Sequence, residues 1–185
     1  GALHAYRDRH GFHGLASGGI GWGLPAAVGV ALGQPKRRVA AYVGDGSAMY
    51  SIQALWTSAH HKLPITTVIC NNGGYRIIKQ RLKAFHKNDH YIGMDFADPP
   101  VDFVGLAKAM GMPAHRITEP DAIAPAIKAA IASGGPTLLD VVVADDLHAA
   151  FQAGANFLRI VLDALELLQF PVILDDAAVA RDADE

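Results

Sequence analysis

The chain has 185 residues, 51% of them hydrophobic and 18% charged, with a formal net charge of −2. That balance suits one globular domain with a sizeable core, excludes a disordered chain, and offers no basic field for nucleic acid. The single cysteine, Cys70, excludes an internal disulfide framework, and no run reaches the roughly 20 apolar residues of a membrane helix, so a soluble, reducing, cytoplasmic setting is expected.

The chain opens on Gly1 and the charged stretch Arg7 to His10, without a signal-peptide pattern. The absent Met suggests a processed product or a piece of something longer. Gly11 to Gly23 is rich in glycine and reads as irregular backbone that a ligand can approach closely. Pro25 suits the first turn of a helix over Ala26 to Leu32. Val39 to Val43 is a short apolar run, expected to be a buried strand, and Gly44-Asp45-Gly46 follows at once. Ser51 to His61 has helical spacing, with Ile52, Leu55, Trp56 and Ala59 on one face. Leu63 to Cys70 is rich in β-branched residues and reads as the next strand, with Cys70 as a packed strand residue. Asn71-Asn72-Gly73-Gly74 is a loop at its end.

Tyr75 to Phe85 reads as a helix with a basic face. Asp98-Pro99-Pro100 breaks it from the next helix, which Asp102 caps and which runs to Met110. Ala114 to Ile117 is a short strand, Asp121 caps a helix to Ser133, and Thr137 to Val143 is a last strand. Leu147 to Phe170 has the spacing of a long helix, and Asp175 to Glu185 is an acidic, Ala-rich tail. Strands of continuous apolar residues alternating with helices imply an α/β fold, a doubly wound, mostly parallel sheet covered on both faces. Residues 1–146 are expected to form a binding domain and residues 147–185 a C-terminal extension of it. In such sheets ligands bind beyond the carboxyl ends of the strands.

Both polar loops fall at such ends. Asp45 and Asn72 each follow a strand, and one crossover separates them, so their side chains can converge. A carboxylate oxygen with an amide oxygen is a hard ligand set that suits Mg²⁺ or Ca²⁺ and not zinc. Gly44 and Gly46 would let the backbone turn tightly beside the ion. Gly73 and Gly74 could free a main-chain carbonyl as a third ligand, and Ser47 could meet a phosphate. From spacing alone, two unrelated turns remain an equal alternative, since G-D-G and N-N-G-G are ordinary loop chemistry.

The stretch from Gly44-Asp45-Gly46-Ser47 through Asn71-Asn72 resembles the thiamine-diphosphate motif, which begins G-D-G and ends N-N. "GGIGWGLPAAVGVALG", "VGDGSAMYSIQALWTSA" and "VICNNGGYRIIKQ" resemble the C-terminal domain of the benzoylformate decarboxylase and acetolactate synthase family. The resemblance runs from about Gly11 to Val143. It implies Asp45 and Asn72 as metal ligands by side chain and Gly74 by its carbonyl. It also implies Ser47 and Tyr75 beside the diphosphate, with Gly44 and Gly46 in the same turn. Gly18, with Gly19 next to it, matches the position whose carbonyl meets the aminopyrimidine, and Ile20 matches the apolar wedge that bends the cofactor. In the family the activating glutamate lies on a separate pyrimidine-binding domain, which nothing here matches. The resemblance therefore implies no catalytic residue in this chain, a pyrimidine-domain partner and a homo-oligomer. The implied substrate is a 2-oxoacid, and the isolated chain should be inactive. Arg81 and Gly14 fall near aromatic pocket positions of the decarboxylase, which argues against an aryl substrate.

Among other candidates, His13 lies nearest the expected pocket, while His60, His61, His86 and His90 have surface or cap roles. Arg76 and Arg81 belong to a solvated basic face or to a lid over an acidic substrate. Trp22 and Trp56 read as core or interface anchors. A non-catalytic module that holds the cofactor without turnover is the alternative of another class. A dinucleotide-binding domain is disfavoured, because the first strand-turn lacks G-x-G-x-x-G followed by a ribose-binding acid.

Overall fold

A computed structural model describes residues 10–14, 19–143 and 172–174. The expected helix from Leu147 to Phe170 and the acidic tail from Asp175 lie outside these residues, as does Gly18.

Six parallel strands form one sheet, in the order β1-β6-β2-β3-β5-β4. They are β1 (Phe12–Gly14), β2 (Val39–Gly44), β3 (Ile65–Asn71), β4 (Ala114–Ile117), β5 (Thr137–Val142) and β6 (Val172–Leu174). The helices are α1 (Gly23–Gly33), α2 (Asp45–Tyr50), α3 (Ala54–His60), α4 (Arg76–His86), α5 (Phe103–Ala109) and α6 (Pro120–Ser133). None among the described residues is long and apolar enough to cross a membrane.

The strands are apolar throughout because both faces of the sheet are covered. Val39, Ala41 and Val43 point to one face, where they join Leu24 and Ala27 of α1, Leu55 of α3 and Phe103 and Ala107 of α5. Ala40 and Tyr42 point to the other and join Val68, Leu139 and Val141 with Ile123, Ile127 and Ile131 of α6. Cys70 packs in that second core and Tyr42 hydrogen-bonds with it; burial pushes the pKa of both groups well above the ordinary range, so both stay neutral.

Several boundaries differ from the sequence expectations for local reasons. The helix expected over Ser51 to His61 starts later, at Ala54, because Ser51 to Gln53 form a turn after a separate short helix, Asp45–Tyr50, that was not expected. Leu55 is buried, but Trp56 is 54% exposed and stacks on His60, so it does not belong to the buried face. Trp22 does pack against the core. The last-strand helix α6 begins with Pro120 at its first position after Glu119, so Asp121 is inside the first turn and not the cap. Helix α5 starts after Asp102 as expected, though that side chain makes no capping bond.

Strands β1 and β6 were not expected. Three-residue strands carry too little periodicity to be told from loop. Strand β6 lies between β1 and β2, with Val172 beside Ala40 on one side and beside Phe12 on the other. Its middle residue, Ile173, is fully buried in the first core. Ile173→Ala should therefore lower unfolding free energy by about 2–5 kcal/mol in a urea titration. A loss under about 0.5 kcal/mol, typical of surface positions, would place Ile173 outside the core.

Candidate functional site

The site begins with the pairing of β2 and β3. They run in parallel with Gly44 beside Cys70, so Asp45 and the loop after Asn71 leave the sheet side by side at its carboxyl end. Asp45 is 1% exposed. Its Oδ2 accepts three consecutive backbone N–H groups, from Asn72 at 3.1 Å, Gly73 at 2.7 Å and Gly74 at 3.0 Å. Its Oδ1 accepts the N–H of Gly46 at 2.8 Å. The loop thus wraps one carboxylate, and the two polar strand ends expected to converge do so.

Wrapping the loop needs one glycine. Gly73 has φ +80°, which the turn demands. Gly74 is constrained by space instead: a Cβ there would lie 2.3 Å from the carbonyl oxygen of Met94. The segment Met94–Phe96 forms a strap across the loop. Gly74 bridges Asp95 in antiparallel fashion, Tyr75 donates its N–H to Met94 O at 2.9 Å, and Phe96 donates to Gly73 O at 2.7 Å. Lys79 of α4 pairs with Asp95 and holds the strap from above. Nothing in the local sequence signals this strap beyond the turn at Gly93, which has φ +69°.

The glycines of the G-D-G turn have another reason than the one expected. Gly44 has φ −69° and ψ 150°, open to any residue. Gly46 leaves room for the Tyr75 ring, which a Cβ would meet at 2.8 Å. That ring also stands edge-on to Tyr50 and Phe96. Partial burial, then Tyr50 and Asp45, raise the Tyr75 phenol above its ordinary value.

Of the residues expected beside the aminopyrimidine, Gly19 and Ile20 lie in the exposed turn before α1. Gly21, at φ +91°, ties that turn to the site by donating its N–H to Ser47 Oγ at 2.8 Å. Ser47 is buried on α2. Of the side candidates, His13 stands on β1, two strands from β2, with its Nε2 unpartnered among the described residues. Arg81 is exposed and lies over the Phe85 ring. Arg76 opens α4 directly after the loop.

The donor set suits a hard cation. Asp45 Oδ1, Asn72 Oδ1 and Gly74 O each accept one N–H, the last two from Gly74 at 3.2 Å and Arg76 at 3.0 Å. An sp² oxygen has two lone pairs, so each can still face a cation. Burial pushes the Asp45 carboxyl above its ordinary value, while the N–H groups of Gly46, Gly74, Gly73 and Asn72 pull it the other way. A bound cation would add to that pull. Among the described residues no group of three His, Cys, Asp or Glu side chains forms a metal cluster, so this mixed oxygen set is a different kind of centre.

The family described as "Thiamine pyrophosphate enzyme, C-terminal TPP binding domain" matches residues 2–141. A Mycobacterium tuberculosis protein that bears the name of an acetolactate synthase large subunit is 44% identical over 134 residues, 70% of this chain and 26% of that one. Benzoylformate decarboxylase of Pseudomonas aeruginosa is 38% identical over 126 residues, 68% of this chain and 23% of that one. The solved 4-hydroxybenzoylformate decarboxylase of Rhodococcus jostii superposes with a TM-score of 0.65 at 40% identity, covering 71% of this chain and 24% of that one. The chain therefore spans about a quarter of the length of these relatives.

The strap makes a prediction. Gly74→Ala drives a Cβ into the backbone of Met94, which cannot yield, and should cost roughly 1–3 kcal/mol. Gly46→Ala meets only a ring that can swing aside, and should cost less. Urea unfolding of both variants checks the order; equal losses would mean that the strap does not press on Gly74.

Proposed function

The chain belongs to the thiamine pyrophosphate enzymes, as their C-terminal cofactor-binding domain, and from that premise we propose that it is the diphosphate-binding part of a 2-oxoacid decarboxylase or carboligase. Asp45 and Asn72 by side chain and Gly74 by carbonyl hold Mg²⁺ or Ca²⁺, and the ion holds the diphosphate. The observation that carries this is the convergence of the Asn72, Gly73 and Gly74 N–H groups on one buried carboxylate at the strand ends. That arrangement fixes the ligand oxygens before any ion arrives. Magnesium would complete its octahedron with water and phosphate oxygens.

Around the ion, Ser47 and Tyr75 line the diphosphate, with Gly44 and Gly46 beneath them. Gly18, Gly19 and Ile20 serve the aminopyrimidine end, and the Gly21 to Ser47 bond supports the closeness of the two ends. When bound, thiamine diphosphate supplies the electron sink for bond cleavage next to a carbonyl. The chain's own residues bind and orient it. The activating glutamate and the other wall of the pocket belong to a pyrimidine-binding domain, in the same longer chain or in a partner of a homo-oligomer. The relatives' fourfold greater length supports this division. Residues 1–146 form the binding domain and 147–185 extend it, which the place of β6 inside the sheet supports.

Metal and cofactor binding should be coupled, because the diphosphate and Asp45 repel each other without a cation. Isothermal titration with thiamine diphosphate should show binding in Mg²⁺ and none in excess chelator. Asp45→Ala should abolish it, and Asn72→Ala, which removes a neutral ligand, should weaken it less. Binding by Asp45→Ala equal to that of the parent would falsify the metal assignment.

Incubated with Mg²⁺, cofactor and a panel of 2-oxoacids, the chain alone should release CO₂ no faster than free cofactor. The missing proton transfer is typically worth ~100- to 10,000-fold. Turnover well above background would overturn the division of the site. Binding without turnover after a pyrimidine domain is added would select the non-catalytic module instead.

A further inference from the structure

The run from Leu138 to Val142 is apolar except for Asp140, which is 0% exposed at the centre of β5. A carboxylate placed there must be paired and hydrogen-bonded to be tolerated. Its Oδ2 accepts the Nε–H of Arg116 at 2.8 Å and is ion-paired with Nη2 of the same guanidinium, also at 2.8 Å. Arg116 stands directly beside it on β4. Its Oδ1 accepts from Nδ2 of Asn71 at 2.9 Å. The Oδ1 of Asn71 in turn accepts the N–H of Gly73 at 3.2 Å, the same N–H that Asp45 Oδ2 accepts at 2.7 Å. A continuous chain of polar contacts therefore runs from the open end of β4, through the core, to Asp45.

The chain has a direction. An ionised carboxylate only accepts, so Asp140 forces the amide nitrogen of Asn71 toward itself. The amide oxygen must then face the loop. Had the amide turned over, its nitrogen would confront the Gly73 N–H, two donors face to face. Arg116 balances the charge of the buried carboxylate.

We propose that Asp140 is a positioning residue for the cation site: through Asn71 it fixes the Gly73 N–H, and with it the loop that presents Asn72 and Gly74 to the ion. This rests on the assignment of Asp45, Asn72 and Gly74 to the cation. Groups that orient ligands in this way typically change metal affinity about 10- to 100-fold when removed.

Magnesium with thiamine diphosphate is titrated calorimetrically into the full chain and its variants, and exchange of the Gly73 amide is followed by NMR without ligand. Asp140→Asn should weaken binding by about 10- to 100-fold and speed Gly73 exchange. Asn71→Asp should do likewise, because two carboxylates then face each other. The double variant Asp140→Asn with Asn71→Asp restores the donor–acceptor order, since the amide now donates from β5 and the carboxylate accepts from Gly73. It should recover most of the affinity and the Gly73 protection. A merely structural role would lower the unfolding free energy of the single variants while leaving affinity and Gly73 exchange of the folded protein unchanged; loss in both single variants without recovery in the double overturns the proposal. If Asp140→Asn fails to fold, the proposal stands or falls on Asn71→Asp against the double variant. Asp45→Asn is the control. Should it lose binding while the single variants at 71 and 140 bind like the parent, the positioning role is wrong and the cation site stands. Should it bind like the parent, or should the parent not bind, both are overturned.

Discussion

The Asp45 carboxylate gathers the N–H groups of three successive residues from the neighbouring strand's exit loop. Two parallel strands share no hairpin, so nothing in the sheet itself holds the loops beyond their ends together. One buried anion supplies that tie. The loop then has to curl, which needs the positive φ of Gly73, and curling brings Gly74 against the strap at Met94 to Phe96. From there Tyr75 is set on Phe96 and Tyr50, and α4 begins. The carboxylate has to be buried to reach the three donors, and burial raises its protonation. A cation beside its second oxygen would favour the ionised form that burial disfavours.

The site therefore stands at the ends of two strands whose residues are buried on both faces. Gly44 and Cys70 are buried and paired across the two central strands, and cores press on both faces behind them. Ligand oxygens at the ends of such strands move little, which is what a small, strongly hydrated ion requires of its protein partners. Helix α4, by contrast, buries none of its residues, although Ile77, Ile78, Leu82 and Phe85 lie along it.

Much of this was legible in the residues. Two-faced burial makes strands continuously apolar, so β2, β3 and β5 stood out to within two residues, and the two polar loops at their ends followed. The convergence of Asp45 with residues 72–74 was implied by one crossover between them. What could not be read was set by tertiary contact. Gly46 looks like a turn residue but makes room for a ring from 29 positions on. The strap has no periodic pattern. Trp56 has the spacing of a buried residue and lies exposed. Asp140 did carry a signal, a lone acid in an apolar strand, yet its partners Arg116 and Asn71 are 24 and 69 positions away. Spacing arguments do not reach that far.

Strand β6 joins two parts of the sheet that are otherwise unconnected, since β1 pairs with it alone and β2 takes it as a neighbour. On the ribosome this strand emerges about 30 residues after β5, some 2–6 s later at about 5–20 residues per second. Until then β2, one of the two strands that carry the site, is a bare edge, with the unpaired N–H and C=O groups of Ala40 to Tyr42 offered to any extended chain nearby. Of the described strands, β1 pairs with β6 and so waits for it. During synthesis the nascent chain is thus exposed to strand-to-strand aggregation at the edge nearest its own cofactor site, and release from that hazard comes only when Ile173 slots into place.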